Sequence, residues 1–133
     1  MKDSKTSISL EKAKKMRAAF TKSDARHANG GSNTRGIWFS LEHLTALVEK
    51  LNKHKDELGI DGVRFYLAKY TKENMDELDN PKYEGYTTLV HVATVKDGSG
   101  HKDYVNEAKS FSYENRNYLC PPETGCEENP TEN

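Results

Sequence analysis

Apolar side chains are scarce in this chain: 34% of its 133 residues are hydrophobic, and it carries four prolines, two cysteines and one tryptophan. Leu, Ile, Val and Phe together make up about a sixth of it, a level met in disordered proteins. No apolar run approaches the ~18 residues that a membrane span needs, so no membrane association is expected. The basic N-terminal residues are not followed by an apolar stretch, so no secretory signal is read there and a cytoplasmic location is expected by default. An excess of one charge is missing as well. Lys plus Arg number 20 and Asp plus Glu 21, a net charge of −1, which argues against a nucleic-acid binder. Two cysteines make no disulfide framework.

What is present favours a small folded unit. The length is that of one domain, able to bury roughly two-thirds of its unfolded surface without a metal. Near-neutral charge keeps self-repulsion weak, and the apolar residues cluster in the middle of the chain. The ends are polar and of opposite character. Lys2, Lys5, Lys12, Lys14, Lys15 and Arg17 face only Asp3 and Glu11, whereas Glu123, Glu127, Glu128 and Glu132 have no basic neighbour after Leu119. Both read as solvated surface.

Ser9 can cap a first helix, on which Leu10, Ala13, Met16 and Phe20 form an apolar stripe. Thr21 to Gly36 reads as a loop, with Gly30, Gly31, Ser32 and Asn33 as turn formers. A short strand at Gly36 to Phe39 precedes Ser40, the cap of a second helix whose stripe is Leu41, Leu44, Leu47, Val48 and Leu51 and which ends before Gly59. Val63 to Tyr70 and Tyr86 to Val95 alternate as strands and are expected to pair antiparallel, with a further short strand around Tyr104 and Val105. The expected fold class is α+β. Residues 1–119 form a single small domain, an antiparallel or mixed sheet of three to five strands covered by two helices. A flexible, disordered acidic Cys/Pro/Glu tail follows at 120–133.

Arg64, Tyr66 and Tyr70 alternate on one face of the first long strand, away from the helices, and Tyr and Arg are the residue types favoured at binding hot spots. They are the candidate binding residues for a protein partner. Cys120 and Cys126 are spaced wrongly for a CxxC redox motif, but two thiolates suit half of a zinc site, which His91, His101 and Asp103 could complete. These are weak metal candidates; free thiols on a docked tail and structural histidines are the plainer readings. Asp61, Arg64 and Glu57 bring charge together without a nucleophile beside a base, so no catalytic residue and no cofactor are expected. An exposed edge strand, Tyr86–Val95 or Ile37–Phe39, could pair two copies into a homodimer.

The segments Gly36-Ile37-Trp38-Phe39-Ser40-Leu41, Gly62-Val63-Arg64-Phe65-Tyr66, Thr88-Leu89-Val90-His91-Val92 and Asn117-Tyr118-Leu119-Cys120-Pro121-Pro122 resemble, in that order, a group of small bacterial proteins. That group has a GVR-aromatic-Tyr strand and a C-terminal Cys-Pro-Pro segment. It has no assigned activity, so the resemblance implies a domain and no site residue. The functional expectation is a small non-catalytic binding or accessory protein of the immunity or antitoxin kind. A carrier-type precursor with a processed Cys-containing tail, and a metal or thiol redox protein acting through Cys120 and Cys126, are the alternatives.

Overall fold

The structure, a computed structural model, describes residues 6–24, 33–115 and 118–123. It is an α+β domain with two helices, α1 (Leu10–Asp24) and α2 (Leu41–Leu58), and five strands: β1 (Gly36–Trp38), β2 (Ile60–Lys69), β3 (Thr87–Asp97), β4 (Gly100–Asp103) and β5 (Tyr118–Cys120). All pairings are antiparallel. They form a three-stranded sheet, β2-β3-β4, and a two-stranded one, β1-β5.

Local chemistry explains most boundaries. The Ser9 hydroxyl accepts from the Lys12 amide at 3.0 Å, and the Ser40 hydroxyl accepts from the His43 amide at 2.9 Å, so each helix starts with one of its orphan donors satisfied. Gly59 ends α2 in the left-handed region at φ 73°, where its amide closes on the Lys55 carbonyl at 2.8 Å; a side chain there would be strained. β2 and β3 carry the β-branched and aromatic residues expected of long strands, and run in one register from Gly62↔Thr94 to Lys69↔Thr87, with a bulge at the Asp61 end.

One core lies between α2 and the three-stranded sheet, where Ile60, Ala93 and Phe111 are buried with Leu51, Leu58, Val95 and Tyr104 packed on them. A second core lies beside the small sheet, where Tyr70, Tyr83 and Leu119 are buried against Ile37, Met75 and Tyr86. The segment before β1 is fastened to the start of β3. The Asn33 side-chain oxygen accepts from the Thr34 and Thr87 amides at 2.7 and 2.9 Å, its amide group donates to the Thr87 hydroxyl at 2.7 Å, and the Thr34 hydroxyl donates to the Thr87 carbonyl at 2.5 Å.

Four expectations need correction. The sheet divides in two, because Leu119 pairs with Ile37 and the Tyr118–Cys120 segment is a strand. The helices do not both cover the sheet: Leu10, Met16 and Phe20 of α1 are exposed, and α1 continues to Asp24 through residues expected to be loop. α2 is rotated from its leucine stripe. It turns His43, Leu47, Lys50, Leu51, His54 and Leu58 inward and leaves Leu41, Leu44 and Val48 exposed. Beside the aliphatic Ile60, Ala93 and Val95, Phe111 of the segment after β4 receives the Lys50 ammonium at 4.5 Å and the edge of His54 at 5.6 Å, so long polar side chains pack there. Finally, Cys120 does not open a free tail. It is buried, its carbonyl accepts from the Arg35 amide at 2.8 Å, and it is disulfide-bonded. The chain's other cysteine, Cys126, and the acidic residues from Thr124 onward lie outside the described residues.

The docking of Cys120 to Glu123 also has a polar anchor. The Glu123 carboxylate takes the Lys82 ammonium at 3.0 Å and the Tyr83 hydroxyl at 2.8 Å. Lys82, and after it Tyr83, hold that carboxyl below its usual range, while burial and then the Glu123 bond push the Tyr83 phenol up to about 12.

Candidate functional site

Arg64 and Tyr66 project from the face of β2 turned away from α2, as expected for alternate residues of one strand. Across β3 they meet Asp103 of β4. The Arg64 guanidinium donates to one Asp103 carboxylate oxygen at 2.8 Å and to the His101 carbonyl at 2.9 Å; the Tyr66 and Tyr113 hydroxyls donate to the other oxygen at 2.6 and 2.7 Å. Tyr66 first, then Tyr113 and Arg64, hold the Asp103 carboxyl below the usual carboxylate range. The polar groups of the cluster are spent on one another, binding β2, β4 and the Tyr113 segment together over the buried Val92. Tyr70 does not join them. It lies past the end of β2 in the second core, with its ring beside Tyr83 and its hydroxyl donating to Asn115.

A second polar pair adjoins this cluster. His101 Nδ1 and one oxygen of Asp61 are 2.6 Å apart, and the Thr94 hydroxyl donates to the other oxygen at 2.7 Å. The Thr94 bond and then His101 lower the Asp61 pKa. Asp61, His101, Thr94 and Arg64 edge a shallow groove of about 400 Å³. A carboxylate that orients an imidazole is one part of a general-base device. Among the described residues, however, no hydroxyl or thiol is bonded to the remaining ring nitrogen. Glu57, considered with Asp61 and Arg64, instead pairs with His54 at 3.3 Å on α2.

The weak metal candidates are separated. His91 faces α2, His101 lies on the opposite face with Asp61, and Cys120 belongs to the small sheet. Among the described residues no three His, Cys, Asp or Glu side chains converge. His91 is nonetheless unusual. It is 1% exposed, its Nε2 has no hydrogen-bond partner among the described residues, and the rings of Phe39, His43 and Phe65 surround it at 5.6 to 6.1 Å. Burial lowers its pKa below 6.5; Glu114 opposes this, and His43 and Lys50 add to it. The folded state therefore holds His91 neutral while the unfolded chain takes up a proton, so its share of stability is full above about pH 6.5 and is lost as pH falls through that value toward the folded-state pKa. Urea titrations at neutral and mildly acidic pH should show the wild type losing more stability on acidification than His91→Leu. Equal losses would contradict the placement.

The exposed apolar side chains were not foreseen. Trp38 is 61% exposed with its ring edge-on to Tyr118 at 5.6 Å, Leu41 is 80% exposed and Leu67 81% exposed, with Leu44 and Phe65 also open. Phe39 links these elements, meeting Phe65 at 6.0 Å and His43 at 5.3 Å. The sequence signal was the excess of leucines in the α2 stripe over what one sheet face can cover. No family model, no curated protein and no solved structure matches the chain. No helix among the described residues is long and apolar enough to cross a membrane.

Proposed function

We propose that the protein is a small non-catalytic interaction module that binds a protein partner through the rim formed by Trp38, Leu41, Leu44, Phe65, Leu67 and Tyr118. The observation that carries this is the exposure of Trp38 and Leu41, which flank Phe39–Ser40 in the chain, together with that of Phe65, whose ring meets Phe39 at 6.0 Å, and of Leu67, the next residue on the same face of β2. Large apolar side chains grouped in this way mark association surfaces, and Trp and Tyr with adjoining leucines suit the centre of one. The Arg64–Tyr66–Asp103 cluster supports the module by stiffening the opposite face. The disulfide at Cys120 favours an oxidising setting over the cytoplasm first expected, because cytosolic thiols are kept reduced.

The test begins with the complex purified from native cells and the partner identified by mass. Trp38→Ala and Leu41→Ala, each exposed and therefore of small effect on folding, should each weaken binding to that partner about tenfold or more, as hot-spot truncations do. Arg64→Ala with Tyr66→Ala reports on the other face and should do less. Binding unchanged by both rim substitutions would remove the reading.

A further inference from the structure

Among the described residues, strand β2 lies at the edge of the three-stranded sheet and pairs on one side only, with β3. Which of its backbone groups face outward follows from its neighbour. Phe65 stands opposite His91, yet His91 spends both main-chain groups on the far side: its amide donates to the Glu114 carbonyl and its carbonyl accepts from the Glu114 amide, each at 2.8 Å. The Phe65–His91 pair is thus of the non-hydrogen-bonded kind, and the N–H and C=O of Phe65 point to the open edge. By alternation so do those of Val63 and Leu67. The far end agrees, since the Tyr70 amide donates inward to the Tyr86 carbonyl at 3.0 Å, which puts the even-numbered residues on the β3 side.

Beyond the bulge at its Asp61 end, this edge lacks the usual protections among the described residues. It is ten residues long, contains no proline, and between Asp61 and Lys69 carries one charge, Arg64, which is drawn back to Asp103 and the His101 carbonyl. The two side chains flanking its outward groups, Phe65 and Leu67, are both exposed.

We infer that β2 pairs with β2 of a second copy of this chain, antiparallel about a two-fold axis at Phe65. This rests on the rim reading and names the partner for its Phe65–Leu67 end. In that register the outward groups of Phe65 meet their own equivalents, and those of Val63 meet Leu67. One two-fold operation therefore satisfies all three residues at once, as an isologous contact requires. The exposed Leu67 comes to lie beside Val63. Arg64 of each copy comes opposite Tyr66 of the other on the second face. The strand ends carry opposite charges, with Lys69 of one copy lying toward the Asp61 end of the other. The two three-stranded sheets become one continuous sheet, and the long unguarded edge disappears.

The mass of the full chain in sedimentation equilibrium, followed from low to high micromolar concentration, tests this. The wild type should shift from 15.1 kDa to twice that value. Leu67→Lys places a charge on the edge, and Leu67→Pro removes an outward amide without touching a bond to β3; each should weaken association at least tenfold. Circular dichroism confirms that the variants are folded, and Leu67→Lys serves alone should the proline variant not fold. Leu78→Ala, exposed but off both the rim and the strand, should dimerise as the wild type does. A wild type that stays at the monomer mass, or folded Leu67 variants that dimerise as tightly as the wild type, would overturn self-pairing. Neither result bears on Trp38 and Leu41 binding a different protein, which the complex from native cells decides separately.

Discussion

Leu119→Ala is expected to lower the unfolding free energy by about 3 kcal/mol, the middle of the ~2–5 kcal/mol range for truncating a buried leucine. Leu119 is fully buried and stands at the centre of the second core, with Tyr70, Tyr83, Ile37, Met75 and Tyr86 around it. It also joins β5 to β1 through its pairing with Ile37, and its amide donates to the Tyr83 hydroxyl at 3.3 Å. Three of the five surrounding side chains are tyrosine rings, which fill the space left by an isobutyl group only in part, so a cavity penalty adds to the lost transfer energy. Against a total stability of roughly 5–15 kcal/mol for a domain, this is a large fraction. Urea unfolding of Leu119→Ala beside Leu67→Ala makes the comparison internal. The exposed leucine should cost within about 0.5 kcal/mol at protein concentrations where the chain is monomeric. Equal effects at the two positions would mean that the Tyr118–Cys120 segment is not part of the core.

Asn33→Ala should cost roughly 2–4 kcal/mol, since each buried amide left without an acceptor costs about 1–3 kcal/mol. The Asn33 side chain is 8% exposed, and its oxygen is the acceptor for both the Thr34 and Thr87 amides. Alanine removes the acceptor and leaves both donors where water does not replace it. Asn33→Asp keeps the acceptor for both amides, loses the donation to the Thr87 hydroxyl and adds the cost of a buried carboxylate, so it should fall between alanine and wild type. Thermal and urea unfolding of the two variants would check the order. An Asn33→Ala variant as stable as the wild type would contradict the clamp between the segment before β1 and the start of β3.

The sequence made the regular elements legible where side-chain period and local capping chemistry agreed. Ser40 and Gly59 bound α2, and the alternating apolar and aromatic residues of β2 and the Thr- and Val-rich run of β3 showed both strands and their antiparallel pairing. It failed where tertiary partners decide. Tyr118–Cys120 has too few residues to show a period, and two prolines follow it; only the distant Ile37 strand makes it a strand. Asn33 carries the signature of a turn former, and nothing local shows that Thr87, far along the chain, is its partner. The α2 stripe was misread because apolar residues occupy more than one face, and the sheet selects the face bearing His43, Lys50 and His54.

The candidate site was partly legible. Alternation along β2 placed Arg64 and Tyr66 together on the face away from α2, but carrying the alternation past Lys69 put Tyr70 with them, whereas the strand ends there and Tyr70 turns into the second core. That Arg64 would be neutralised by Asp103 depends on the hairpin from β3 to β4, which brings residues 39 apart in sequence into contact. The edge could not be assigned from sequence either. The long Thr87–Asp97 strand, one of two edges considered, is the central one, and β2 is exposed because β4 takes the other side of β3.

Amide hydrogen exchange along β2 tests most directly whether the Phe65–Leu67 surface works covered by another polypeptide. The amides of Arg64 and Tyr66 face β3 and give an internal reference that should exchange slowly at every concentration. Those of Val63, Phe65 and Leu67 should exchange rapidly in dilute protein and become protected as concentration rises. Rapid exchange of these three at all concentrations, with the reference amides slow, would contradict it.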